Sequence, residues 1–231
     1  MPEELSAGVS PAGAPAPARI PGRYGLLLLV LIATYLLSAF RTGRWIEAFQ
    51  LVLFTGAALL ALRSASVSRR AVRLVLVAAI AGLPVMLILL ANPATGTTGR
   101  GIANLWTGLV LLAAVVMIVR RVLSFGTVTV QSIYGALSAY LVLGLMFAAF
   151  FAAIWHLSGE SFFARGETAS TQHFQYFSFT TLTTLGYGDY TAAQNSGQAV
   201  AVLEALTGQV FLATLVARLV AAFRAPSGPP D

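Results

Sequence analysis

The chain alternates between long apolar stretches and short polar segments. Five stretches cover residues 24–40, 45–63, 72–91, 102–119 and 133–157, and a sixth runs from 196 to 223. A helix needs about 20 residues to cross the hydrocarbon core of a bilayer. The pattern therefore predicts an all-α membrane protein with six transmembrane helices.

The same pattern divides the chain into parts. Residues 1–22 are rich in Pro and Ala and predict a disordered tail. Residues 23–123 hold the first four stretches and predict a four-helix peripheral membrane domain. A linker is predicted at 124–132, a second membrane domain at 133–224, and a short tail at 225–231.

Composition narrows the class of protein. Of the 231 residues, 58% are hydrophobic and 10% are charged, whereas a soluble domain has about 25% charged residues. This balance excludes an ordinary soluble enzyme and a disordered chain. There is no Cys, so disulfides, thiolate metal sites and Cys nucleophiles are excluded.

The positive charge indicates the orientation of the chain. All fourteen basic residues are Arg, and ten of them fall on the side that holds both termini. The positive-inside rule predicts that this side, with both termini, is cytoplasmic. The predicted location is the cell membrane. Trp45, Trp106 and Trp155 then lie near the outer interface. The expected partner of the chain is the lipid bilayer, and the excess of basic residues sets the orientation of the chain in it. This excess does not indicate nucleic-acid binding.

A polar segment, residues 158–195, separates the last two predicted spans. Its second half, from Thr171 to Thr184, reads as a short helix with three Phe residues and a hydroxyl-rich end. This helix runs directly into Leu-Gly-Tyr-Gly-Asp at 185–189. The segment is too polar to cross the bilayer and too long for a tight turn, so a re-entrant loop is predicted.

With Thr-Thr-Leu-Gly-Tyr-Gly-Asp at 183–189, after an aromatic helix and between two spans, the sequence resembles the potassium-channel pore family. The resemblance covers about residues 133–223. It implies a pore domain with an outer helix at 133–157, a pore helix at 171–184, a filter at 184–189 and an inner helix at 196–223. One filter segment per chain implies a homotetramer. K⁺ would be the permeant ion, with no cofactor.

The chemistry of such a filter explains its residues. Backbone carbonyls replace the water shell of K⁺ in a narrow pore lined by four copies of the segment. The resemblance assigns these carbonyls to Thr184, Leu185, Gly186 and Tyr187, and assigns the innermost site to the Thr184 hydroxyl. Gly186 and Gly188 would adopt positive φ without a Cβ clash. Leu185 stands where Val or Ile is commoner in the family.

Residues behind the filter are expected to support it. The resemblance implies that Asp189 hydrogen-bonds there and that Tyr187 points away from the ion path. Many family members carry paired Trp on the pore helix, and here Tyr176 and Phe177 stand at those positions. Ala192 replaces a frequent Pro after the filter.

Glu204 and Gly208 lie in the last predicted span. An ionisable residue inside a span is a functional candidate by default. We expect Glu204 to hydrogen-bond pore-helix hydroxyls such as Thr180 or Thr181. The alternative is a neutral buried acid without a role in gating. Gly208 aligns with the hinge glycine of the family's inner helix, but Gly also allows helices to pack closely.

One face of the same span carries Gln209, Leu212, Val216 and Val220 at three- and four-residue spacing. The family alignment turns this face toward the cavity below the filter. Gln209 would then form a ring of four amides, and Val216 or Val220 a hydrophobic gate that closes by dewetting. The alternative is that this face packs on a neighbouring helix.

The residues predict a K⁺-selective channel subunit that is not an enzyme and is not classically voltage-gated. The stretch at 102–119 has no basic residue, although a voltage sensor needs Arg along its fourth helix. A weakly selective cation channel, a pore gated by a separate regulatory subunit, and a non-conducting sensor or structural subunit stay open. A membrane enzyme is disfavoured because no predicted span holds a His/Glu metal pair or a Ser/His/Asp set.

Overall fold

A computed structural model describes residues 24–40, 52, 56, 69–124, 128–167 and 169–223. Within these ranges the regular structure is helical, apart from one isolated β-bridge between Phe163 and Ala192. A single 3₁₀ turn, Pro93–Thr95, joins the second and third helices. The helices are α1 (Tyr24–Phe40), α2 (Arg69–Ala91), α3 (Gly96–Ser124), α4 (Val130–Ser158), α5 (Thr171–Leu182) and α6 (Asn195–Phe223).

Three of these helices are long and apolar enough to cross a membrane: Gly96–Leu123, Val130–Ser158 and Asn195–Ala221. For the described residues, the structure agrees with the predicted helical fold and with helices of membrane-spanning length and composition. The apolar parts of α1 and α2, Tyr24–Leu36 and Leu76–Ala91, are shorter. The stretch at 45–63 and both predicted tails lie outside the residues that the structure describes, so the six-span count stays a prediction.

The helices extend beyond the apolar stretches from which they were predicted. Predicted spans at 102–119 and 133–157 become α3 and α4, which begin six and three residues earlier. Thr129 caps α4: its hydroxyl accepts from the Ser132 N–H at 3.2 Å, and the Ser132 hydroxyl accepts from the Thr129 N–H at 2.8 Å. Hydropathy marks only the apolar centre of a helix, whereas polar caps decide where it starts.

α4 is the centre of the fold and packs against α1, α3, α5 and α6. Its buried side chains include large and small residues, and Phe151 has no exposed surface. α2 packs against α3, where Gly82 lies directly over the ring of Trp106. α5 and α6 also pack against each other, and residues 184–189 between them are exposed.

Candidate functional site

α5 is held in place by its cap and by a cluster of aromatic rings. The Ser170 hydroxyl accepts from the His173 N–H at 3.3 Å and caps the start of the helix. The buried face of the helix presents Phe174 and Phe177 to rings from α4 and the preceding loop. That cluster comprises Phe151, Phe162, Phe163, Phe174 and Phe177. Tyr176 and Phe177 stand where many potassium-channel pores have paired Trp. Of these two residues, Phe177 belongs to the cluster and therefore anchors the helix.

The helix ends at Leu182, so the expected pore helix at 171–184 is two residues too long. Thr183 caps the end, donating to the Phe179 carbonyl from its N–H at 3.1 Å and from its hydroxyl at 2.6 Å. Thr184 then takes a φ of 58°. A left-handed residue cannot continue an α-helix, which is the physical reason for the correction.

The chain after Thr184 turns back onto the helix end. The N–H groups of Leu185 and Gly186 donate to the Thr180 carbonyl at 2.8 and 3.2 Å, and the Thr184 N–H donates to the Thr181 carbonyl at 2.9 Å. These bonds satisfy carbonyls that a helix end otherwise leaves unpaired. They also fix the start of the 184–189 segment relative to α5.

The sign of φ alternates along this segment. Thr184, Gly186 and Gly188 have φ values of 58°, 52° and 76°, whereas Leu185 and Tyr187 are not in the positive-φ region. The two glycines meet no steric penalty there. A left-handed non-glycine residue such as Thr184 costs about 1–3 kcal/mol, so the surrounding contacts must hold it in place.

The segment forms part of the surface of a single chain. All residues from Thr184 to Asp189 are exposed, with Leu185 54% and Tyr187 66% accessible. Large apolar side chains in such positions normally mark an interaction surface. One chain therefore supplies only one wall of any pore that this segment lines.

A hydrogen bond supports the outer end of the segment from behind. The Tyr176 hydroxyl donates to Asp189 Oδ2 at 2.8 Å, and the Tyr190 N–H donates to Asp189 Oδ1 at 3.0 Å. The first bond lowers the pKa of Asp189 and raises the pKa of Tyr176 to about 12. The Tyr176 and Tyr187 rings are parallel within 8°, with centroids 6.4 Å apart.

The preceding loop contributes a contact that the sequence reasoning missed. Arg165 Nη2 donates to the Gly188 carbonyl at 3.4 Å. Arg165 is the only arginine between Arg121 and Arg218. This isolated position is the sequence feature from which a contact with the neighbouring segment could have been predicted. The same loop pairs with the chain after residues 184–189 through the Phe163–Ala192 bridge. Ala192 therefore has a structural role at the position where potassium-channel pores often have Pro.

A buried polar network joins α4, α5 and α6. The Ser178 hydroxyl lies 2.5 Å from Glu204 Oε1 and 2.6 Å from the Gly144 carbonyl. Glu204 and Ser178 have no exposed surface. Glu204 therefore contacts a hydroxyl of α5, as expected, but this hydroxyl belongs to Ser178 and not to Thr180 or Thr181. Ser178 occupies the buried face of α5, whereas the Thr180 hydroxyl donates to the Phe177 carbonyl of its own helix at 3.0 Å.

The number of available protons decides which group donates in each contact of this network. A Ser hydroxyl has one proton, but the two close neighbours of Ser178 Oγ are both oxygens. Both contacts become hydrogen bonds when Glu204 is protonated and donates to Ser178, and Ser178 donates to Gly144. A neutral carboxyl also avoids the cost of a buried charge.

Gly208 lies where α6 crosses the end of α5. A Cβ at this position would collide with the Leu182 carbonyl oxygen. The same carbonyl accepts from the Tyr140 hydroxyl of α4 at 3.2 Å. Of the two interpretations of Gly208, the structure supports close packing: the missing side chain lets α6 approach the last turn of α5.

The next residue, Gln209, reaches the 184–189 segment. Gln209 Nε2 donates to the Thr184 hydroxyl at 3.1 Å, and that hydroxyl donates to the Thr183 carbonyl at 2.7 Å. The other residues predicted to share a face of α6 with Gln209 are partly exposed. Leu212, Val216 and Val220 are 37%, 57% and 46% exposed.

One of three comparisons with known proteins gives a match. Residues 139–225 match a family model described as "Ion channel". The match runs from within α4 to two residues past the end of α6 and includes α5 and residues 184–189. It supports an ion channel family. No curated protein matches the chain, and no solved structure matches it either.

Proposed function

We propose that the chain is one subunit of a homotetrameric, K⁺-selective channel of the cell membrane, with six spans and both termini in the cytoplasm. K⁺ would move passively, down its electrochemical gradient. α5 serves as the re-entrant pore helix, residues 184–189 as the filter, α4 as the outer helix and α6 as the inner helix.

The alternation of φ from Thr184 to Gly188 carries this proposal. When residues alternate between right- and left-handed conformations, successive carbonyls turn toward the same side of the chain. A row of carbonyls on one side supplies the oxygens that replace the hydration shell of K⁺. An ordinary Gly turn between two spans needs one or two such residues and has no reason to alternate over five.

The exposure of the segment supports assembly. Leu185 and Tyr187 are more than half exposed, and a single wall cannot surround an ion. Four copies close the ring, with the carbonyls of Thr184, Leu185, Gly186 and Tyr187 toward the axis. The Thr184 hydroxyl adds the innermost site.

The contacts around the filter give each supporting residue a role. The Tyr176–Asp189 bond braces the outer end, and the Gln209–Thr184 bond braces the inner end. Glu204 acts through Ser178, which positions α5 between α4 and α6. Gating by classical voltage sensing has no support, because the apolar part of α3 up to Val119 carries no basic residue after Arg100.

Ion flux from proteoliposomes tests the proposal. We expect the purified protein to pass K⁺ much faster than Na⁺, and Gly186→Ala to abolish the flux, because Ala is strained at a φ of 52°. Gly25→Ala is the matched control, since its new Cβ would meet only ordinary contacts with Tyr134. Equal K⁺ and Na⁺ flux would favour a weakly selective cation channel. Flux that survives Gly186→Ala would overturn the filter assignment.

A further inference from the structure

An apolar cavity lies between α3, α4 and α6. Its volume is about 540 Å³, which falls within the roughly 300–1,000 Å³ typical of ligand sites. α3 contributes Val115, Val119 and Val122 to its wall, and α4 contributes Ala139 and Leu143. α6 completes the wall with residues that include Val210, Phe211 and Thr214.

This cavity is separate from the proposed ion path. At 3.6 residues per turn, Leu206, Val210 and Thr214 lie on roughly the opposite side of α6 from Leu212 and Val216. Leu206 and Val210 are 59% and 65% exposed, so the cavity opens sideways. In the membrane, that opening meets either the hydrocarbon of the bilayer or a second copy of the chain.

One end of the cavity carries a positive charge. Arg218 lines it and donates to the Val122 carbonyl at 2.8 Å and the Leu123 carbonyl at 3.3 Å. Those carbonyls belong to the last turn of α3. The two bonds fix the guanidinium at the level where α3 ends and the headgroups of one leaflet begin. The guanidinium stays positively charged in this position, because Arg is not deprotonated in proteins.

We propose that this cavity binds an anionic phospholipid, with an acyl chain between α3, α4 and α6 and the phosphate at Arg218. Basic pockets between transmembrane helices are a recognised setting for acidic headgroups. The apolar walls suit an acyl chain, and the single charge stands at the end where a headgroup would lie.

The charges of the chain favour a lipid over a second copy as the occupant. Of the described carboxylates, Glu160, Glu167 and Asp189 belong to the loops next to α5. Glu204 lies about 21 Å along α6 from Arg218, at 1.5 Å per residue. A second copy of the described part therefore brings no carboxylate to this level, whereas an acidic lipid brings a phosphate.

Native mass spectrometry of the detergent-purified protein tests the proposal. The probes are dioleoylphosphatidylglycerol and dioleoylphosphatidylcholine, which share acyl chains and differ in headgroup charge. We expect the anionic lipid to bind more tightly. Arg218→Gln should reduce this preference about fivefold, the factor that corresponds to about 1 kcal/mol for one basic side chain at an anionic surface. Arg218→Lys, which retains the charge, should preserve most of it.

Two further variants separate the cavity from general attraction to acidic lipid. Val210→Trp fills the cavity, leaves Arg218 in place and should reduce binding of both lipids. The controls are Arg120→Gln, which removes a charge at the end of α3 outside the cavity, and Ile80→Trp at an exposed position on α2. Neither control should change binding.

Three results would overturn the proposal: equal binding of the two lipids by the parent protein, an equal loss in Arg120→Gln, or full binding in Val210→Trp. A Val210→Trp protein that changes its number of copies but not its bound lipid would assign the cavity to a second copy. Because lipid binding is the readout, a negative result here is distinct from a failure of ion flux.

Discussion

α4 and α6 are apolar helices of equal length, 29 residues each, but the fold treats them differently. Within the chain, 72% of the most apolar window of α4 is buried, against 11% for α6. α4 is covered by four helices of its own chain. α6 contacts α5 and the chain after it through Glu204, Gly208 and Gln209. It contacts the end of α3 through Arg218.

This difference shows which surfaces the single chain completes by itself. α4 forms a core that one copy satisfies, so its side chains serve stability. α6 and the filter segment instead present their apolar surface outward, which is expected of parts that meet lipid or other copies. The contacts of α6 with α5 are few and close, and each one can be removed separately.

The largest effect is expected from Gly208→Ala. The added methyl group meets the Leu182 carbonyl, so α6 must move away from α5 or α5 must shift. Overpacking of this kind typically costs about 1–3 kcal/mol. We expect a clear loss of thermal stability of the purified protein and of K⁺ flux. Gly25→Ala, where the methyl group has room, should change neither; an unaffected Gly208→Ala would contradict the close packing.

Glu204→Ala comes next. It removes the donor to Ser178 and leaves buried polar groups unsatisfied, at a cost of about 1–3 kcal/mol. Glu204→Gln should retain most of the stability, because its amide can donate to Ser178 as the protonated carboxyl does. Thermal unfolding of the two variants measures the difference. A Gln variant as unstable as the Ala variant would mean that Glu204 acts as a charged group.

Gln209→Leu should have a smaller effect, confined to the filter. It removes the bond to the Thr184 hydroxyl, and one such bond contributes about 0.5–1.5 kcal/mol. We expect a several-fold change in the K⁺/Na⁺ flux ratio with little change in thermal stability. A double-mutant cycle with Thr184→Val isolates the pair. Additive effects would show that the two side chains act independently.

The smallest effect is expected from Tyr176→Phe and depends on pH. The Tyr176 hydroxyl holds the pKa of Asp189 below the ordinary value of 3.8. The bond therefore contributes fully above that value and is lost as pH falls through the lowered pKa. Without the hydroxyl, acid inhibition of flux should begin at a higher pH. Titration of external pH measures this shift, and Tyr134→Phe should leave the profile unchanged.

The sequence predicted the class and the location of the site better than its contacts. Apolar stretches marked the helices because the bilayer requires long apolar segments, and the Thr-x-Gly-Tyr-Gly pattern marked the segment that we propose as the filter. The predicted partner of Glu204 was wrong because the partner depends on how α5 is rotated about its axis. A 12-residue helix with polar and apolar residues on all sides does not reveal that rotation. The end of α5 at Leu182 follows from the backbone of Thr184, a residue type that rarely takes positive φ.

Subunit counting tests most directly whether the exposed face of α6 and the filter segment are covered by further copies of the chain. The purified protein can be reconstituted into lipid nanodiscs and its copies counted by single-molecule photobleaching of one fluorophore per chain. The account predicts four copies around one pore, in preparations that also conduct K⁺. A protein that conducts as a monomer or a dimer, or one that never exceeds two copies, would contradict it.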